Sequence, residues 1–229
     1  MNIYEIKSEL EEAMGVQELS GEILDAIETL RVKVFRSNYY KTKYSEGLDK
    51  FKKELNTRVL QDFSPAKLQE YASWVNDSYE IAGANGSSVL HNLHSMGDLV
   101  AQLINKTVLN DSISDVHNVS IWKVKSELKN KIDNGDTKCS GLLNEINRFL
   151  GTYDWRYVNG FVNVEKHHSL IKYNTNQTPF KPDFEFYFSE FTYNRRHFNK
   201  EEMTQLLKER MLSFSKWLDN IFKEIINCY

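Results

Sequence analysis

Apolar residues recur at helical spacing along most of the chain. From Ser87 onward, Val89, Leu93, Met96, Val100, Ile104 and Val108 follow at intervals of three or four, with Leu90, Gly97 and Ala101 beside them. Such a stripe predicts a central amphipathic helix with one face in the core. A second stripe, Met203, Leu207, Arg210, Phe214, Trp217 and Ile221, has Leu206, Met211, Leu218, Phe222 and Ile225 filling the same face and predicts a long final helix. Asn199, followed three residues later by Glu202, offers a capping box at its start. Ser64-Pro65 has the form of an N-cap and a first-turn proline, opening a helix through Tyr79 or Ala82. Gly83 and Gly86 then predict a break or kink. Other helices are expected over Ile3 to Met14, Ser20 to Tyr40, Gly47 to Asp62, Thr137 to Leu150 and Tyr153 to His167.

One segment changes period. In "PDFEFYFSEFTYN", Phe184, Phe186 and Phe188 alternate with Glu185, Tyr187 and Ser189, the two-residue repeat of a strand. A strand needs a partner for its backbone, and the residues around Leu170 to Tyr173 or those after Phe191 can supply one. The expected fold is therefore all-α: an antiparallel helical bundle, in one domain over residues 1–229, with a small β-hairpin insert at about 170–193 before the C-terminal helix.

Composition narrows the setting more than the chemistry. The formal net charge is −3, so no bulk field recruits nucleic acid or an anionic membrane, although a local basic patch still can. Cys139 and Cys228 are far apart in sequence and have no His or Cys at ligand spacing, which predicts neither a disulfide framework nor a zinc site. The opening "MNIYEIKSELEEAMG" is acidic where a signal peptide is basic, and no apolar run is long enough to span a bilayer. A cytoplasmic protein with no membrane partner is expected, and triplets such as Asn105-Lys-Thr107 then carry no glycosylation meaning.

Two polar stripes lie on predicted helices. In "VLHNLHSMGDLVAQLIN", His91, His94 and Asp98 fall at i, i+3 and i+7, with Asn105 further along. Imidazole and carboxylate are suitable transition-metal ligands, yet the Glu-x-x-His pairs of di-iron bundles are absent, and a solvated or locally hydrogen-bonded role is the plainer reading. Along the helix that ends in "FVNVEKHHSLI", Asn159, Asn163, Lys166 and His167 share a face, leaving Val158, Phe161 and Val162 to pack. That face reads equally as a helix C-terminus, where Lys and His complement exposed carbonyls, or as the edge of a site. Packed across a bundle, the two stripes would bring His94 or Asp98 within reach of Asn163 or His167.

The layout of "LHSMGDLVAQLIN", an irregular connection, a helix ending "FVNVEKHHSLI", a strand-rich insert and a long terminal helix resembles bacterial members of the HEPN (higher eukaryotes and prokaryotes nucleotide-binding) superfamily over roughly Ser87 to Ile226. The resemblance implies an antiparallel bundle, commonly a homodimer, in toxin–antitoxin and other defence systems. It also implies metal-independent RNA cleavage in members that carry an Arg-x(4–6)-His motif. There the imidazole moves a proton and the guanidinium clamps phosphate. This chain departs from that motif. Gly160, Phe161 and Val162 occupy the arginine window of His167, and Phe161, Val162 and Asn163 that of His168; Arg156 lies too far back.

Three classes of function follow. The first is a HEPN-like module that binds RNA, a nucleotide or an antitoxin-like protein partner. The second is a divergent ribonuclease with His167 as acid or base, Asn163 and Lys166 on phosphate, and Asp98 or His94 orienting them. The third is a metal-dependent enzyme built on His91, His94 and Asp98. The first two need no cofactor. Arg195 and Arg196, with His197, could extend a nucleic-acid surface beside aromatic rings, although a turn with solvated charges is the simpler reading.

Overall fold

The computed structural model describes residues 3–58, 65–168, 170–176 and 185–229. The described residues form seven α-helices: α1 (Ile3–Met14), α2 (Gly21–Arg58), α3 (Pro65–Thr107), α4 (Ile121–Asp133), α5 (Ser140–Gly151), α6 (Tyr153–His167) and α7 (Met203–Ile226). Five short strands separate α6 from α7: β1 (Tyr173–Asn176), β2 (Glu185–Phe188), β3 (Phe191–Tyr193), β4 (Arg196–Phe198) and β5 (Glu201–Glu202). The fold is thus mostly α, with a small antiparallel strand group ahead of the last helix. None of these helices is long and apolar enough to cross a membrane.

Two expected breaks do not occur. Residues 41–46, between the two predicted helices, lie inside α2, because Tyr44, Leu48, Phe51 and Leu55 continue one buried stripe through them. A glycine in a helix costs about 1 kcal/mol, whereas burying one large apolar side chain returns roughly 1.5–3 kcal/mol, so Gly47 stays helical. Asp62 and the proposed cap Ser64 lie outside the described residues. Gly83 and Gly86 do not break α3 either. A Cβ on Gly83 would overlap the Tyr173 ring, and one on Gly86 would stand 3.1 Å from Phe188. These glycines are room for the strand group.

Two starts also differ from expectation. The capping box at Asn199 is absent. Glu201 and Glu202 pair with β2, and the Glu202 carboxylate itself accepts from the backbone N–H groups of Thr204 and Gln205, each at 2.7 Å, which caps α7 at Met203. Helix α4 has no counterpart among the expected helices, although its signal is present: Ser120 caps it, and Ile121, Val124 and Leu128 are its buried face.

The chain divides into two compact units. Unit 1 comprises Met1–Phe35, Asn92–Arg156 and Met211–Tyr229. Its centre is aromatic: Phe149 stacks on Trp217 at 3.9 Å and meets Phe214 edge-on at 5.0 Å, with Trp155 at 5.3 Å. A Cβ on Gly97 would come within 2.7 Å of the buried Trp155 ring.

Unit 2 comprises Arg36–His91 and Tyr157–Arg210. Its sheet runs β1-β2-β5, all antiparallel, with Tyr173 opposite Phe188 and Phe188 opposite Glu201. The alternation seen in the sequence is real over the described part: Phe186 and Phe188 are buried and Glu185 is exposed, while Phe184 lies outside the described residues. The hairpin β3–β4 closes through Asn194 and Arg195, with φ of 50° and 63°, the left-handed pair of a type I′ turn. Its inner face stacks Phe191 on Phe198 at 4.7 Å, and Gly160 of α6 leaves space for both rings. Arg210 is buried in the apolar face of α7, where its Nη2 reaches Glu201 Oε2 at 2.8 Å and its guanidinium lies 5.2 Å from the Tyr157 ring centre.

Candidate functional site

Helix α6 carries two polar sets on different faces. Lys166 and His167 are exposed in its last turn. Asn163 does not reach outward: its Nδ2 donates to Asn159 O at 2.7 Å and to Asn159 Oδ1 at 3.1 Å, one turn back on the same helix. On the other face, Glu165 extends the row of Val158 and Phe161 into the interior.

Glu165 is the buried carboxylate of unit 2, with its side chain only 5% exposed. Its Oε2 accepts from Ser87 Oγ at 2.7 Å and lies 2.9 Å from His91 Nε2, while Oε1 is buried with no hydrogen-bond partner. Ser87 and His91 stand one turn apart on α3, so a single carboxylate oxygen gathers both. Either a neutral His91 with its proton on Nε2 or the imidazolium supplies the donor, and the ring remains 38% exposed. Tyr173 completes the set. Burial, and then the charges of Glu165 and Glu80, push its phenol up to about 12.

This arrangement is not a nucleophile relay, in which histidine stands between the acid and the hydroxyl. Here Glu165 stands between Ser87 and His91, so the serine proton points at the acid. What the geometry does supply is an imidazole held by a buried carboxylate and partly open to solvent, which fixes the orientation of the ring. Sequence reasoning missed Ser87, Glu165 and Tyr173. A signal existed for Glu165 alone, a carboxylate at i+7 from Val158 and i+4 from Phe161 on the apolar side of α6.

The other predicted residues have partners of their own. In unit 1, His94 Nδ1 lies 3.9 Å from Asp98 Oδ2, and the His94 ring stacks on Trp155 at 5.8 Å. Asp98 is half-exposed. Buried Asn105 fastens the loop after α3, donating to Asp111 Oδ1 and Ile113 O and accepting from Ile113 N. Among the described residues no three His, Cys, Asp or Glu side chains are grouped to hold a metal ion, His91, His94 and Asp98 included.

Beyond the end of α6, a groove of about 410 Å³ runs along unit 2, lined by His168, Lys172, Ser189, Glu190 and Thr192 among others. Thr192 is the ladder partner of His197, and Tyr193 that of Arg196. His197 Nε2 in turn lies 3.7 Å from Glu190 Oε2. Arg195 and Arg196 are exposed at the hairpin turn. His168, just past α6, and Lys172 therefore line the groove together with Thr192 of β3, whose ladder partner His197 follows the exposed Arg195 and Arg196. No family model, curated protein or solved structure matches the chain.

Proposed function

We propose that this chain is a HEPN-like module that binds RNA, or another phosphate-bearing nucleotide, along the groove of unit 2. The observation that carries the reading is the groove itself, which joins His168 and Lys172 to strand β3, whose Thr192 pairs with His197 next to the exposed Arg195 and Arg196. Exposed cations such as Lys172, Arg195 and Arg196 suit a single strand, whose phosphates need charge. The layout supports it as well, since long helices with a strand group before the last one fit the HEPN resemblance. With that resemblance come an antiparallel bundle, a homodimer in the bacterial cytoplasm, and an antitoxin-like protein partner.

Binding without turnover is preferred because the arginine of the ribonuclease motif is missing. A cleaving variant of the same reading draws on a different residue from the motif histidine. Among the described residues His167 has no hydrogen-bonding or ionic partner, whereas His91 is held by Glu165.

The test uses the purified chain, a labelled single-stranded RNA and a chelator. Anisotropy reports binding and a denaturing gel reports cleavage. Binding is expected to weaken in Lys172→Ala and in Arg195→Ala/Arg196→Ala, with the slope of log K against log salt falling by about 0.7 for each phosphate contact removed. Absence of binding at low salt, or variants that bind like the parent, overturns the reading. Cleavage lost in His167→Ala supports the motif-like enzyme instead, and cleavage lost only in His91→Ala assigns the chemistry to the carboxylate-held ring.

A further inference from the structure

The two cysteines, far apart in sequence, meet in unit 1. The start of α5 and the end of α7 are pressed together there. Lys138 Nζ donates to the Tyr229 carbonyl oxygen at 3.0 Å, and a Cβ on Gly141 would overlap the Glu224 carboxylate. Cys139 lies between Lys138 and Gly141 and is buried, while Cys228 lies between Glu224 and Tyr229 and is partly exposed. Cys228 Sγ donates to Glu224 O at 3.3 Å, one turn back, and burial followed by the nearby Cys139 thiol pushes the Cys228 thiol up. Both thiols are free. Cys228 also lines a cavity of about 560 Å³ with Lys131, Asp136, Lys138 and Tyr229, which gives a small reagent a way to one sulfur and not to the other.

We propose that Cys139 and Cys228 are a reversible oxidation site, closed to an intramolecular disulfide by a small hydroperoxide that enters this cavity. Cys228 reacts first because it is the accessible one. Its sulfur gives up its proton and attacks the outer peroxide oxygen; the O–O bond breaks, leaving a sulfenic acid on Cys228 and releasing water or an alcohol. Cys139 then attacks the Cys228 sulfur, the S–O bond breaks, and a second water leaves with the Cys139 proton. Two thiols are oxidised by two electrons and one peroxide bond is reduced, and a dithiol reverses the step by exchange. The thiolate is the reacting form. Burial, the Cys139 thiol and the Glu224 carboxylate hold the Cys228 proton on, and the Lys131 ammonium opposes them, so the reaction speeds up as pH rises. A covalent link here ties α7 to α5 and removes freedom from the unfolded chain.

The experiment treats the folded, reduced chain with hydrogen peroxide, then unfolds it, counts free thiols, and maps peptides without reduction. The expected result is loss of both thiols together, a crosslinked peptide containing Cys139 and Cys228, unchanged monomer mobility, a higher unfolding temperature and recovery with dithiothreitol. C228S is expected to keep Cys139 reduced because no oxidant reaches it. C139S is expected to stop at a Cys228 sulfenic acid, trapped with a dione probe. The proposal is overturned if the thiols persist in the folded wild-type chain while peroxide oxidises them in the urea-unfolded one. It is equally overturned if oxidation yields only disulfide-linked dimers, or if Cys139 oxidises as fast in C228S as in the parent.

Discussion

Glu165 Oε2 lies 2.9 Å from His91 Nε2, and this contact ties α6 to α3 inside unit 2 through a carboxylate that is almost wholly buried. Removing the acid strands two donors, because Ser87 uses the same oxygen. Glu165→Ala is expected to destabilise by roughly 1–3 kcal/mol in urea unfolding. A double-mutant cycle with His91→Ala isolates the pair, with a coupling of about 0.5–3 kcal/mol, near the lower end because the ring is partly solvated. Strict additivity would mean that the contact contributes nothing to stability.

Three glycines separate local preference from packing. A methyl group added at Gly47 would meet nothing within 4 Å, so Gly47→Ala is expected to raise stability by roughly 0.5–1 kcal/mol. At Gly97 the same change meets Trp155, which is buried and flanked by Phe149 and Phe214, so the ring has nowhere to move. Overpacking there costs roughly 1–3 kcal/mol and outweighs the helical gain. Gly83→Ala should fall between the two, since Tyr173 is only half-buried and can swing outward. Thermal unfolding should place Gly47→Ala highest, Gly83→Ala next and Gly97→Ala lowest.

The same contrast explains what was legible in the sequence. Val89 to Val108 and Met203 to Ile225 give a helix and its buried face directly, because a 3.6-residue period needs no partner to be seen. The Phe186 and Phe188 alternation gives β2 for a similar reason, whereas the two-residue β5 is set only by its neighbour. Gly47, Gly83 and Gly86 mislead, since local propensity is about 1 kcal/mol and the aromatic contacts that overrule it come from distant segments. Lys166 and His167 are exposed at the α6 end, where the sequence pattern allowed either a helix terminus or the edge of a site. The role of the buried Glu165 is not legible there, because it comes from Ser87 and His91, more than seventy positions earlier.

Trp217 tests the core of unit 1. It is 1% exposed and stacks on Phe149 with the rings 5° from parallel. Trp217→Ala is expected to cost about 3–5 kcal/mol. The indole N–H is buried without a partner, so Trp217→Phe, which deletes that donor along with some volume, should cost clearly less. Equal losses in the two variants would show that a phenyl ring restores none of the packing that the indole provides.

Tyr173 provides a pH signature for the Glu165 set. Burial, followed by the charges of Glu165 and Glu80, moves its phenol from 10.0 to about 12. The unfolded chain therefore loses this proton before the folded one does, and the resulting stabilisation is complete below pH 10 and lost as pH rises through about 12. Other tyrosines titrate nearby, so the comparison is between the parent and Tyr173→Phe. The parent's stability should fall more steeply across that interval, and its tyrosinate absorbance should show one more late-titrating ring. Glu165→Gln deletes one of the charges and should bring the Tyr173 titration back toward 10, the ordinary value. A Tyr173 titration that ignores Glu165→Gln would show that burial and the Glu80 charge hold the proton, and that the Glu165 carboxylate and the phenol do not sense each other.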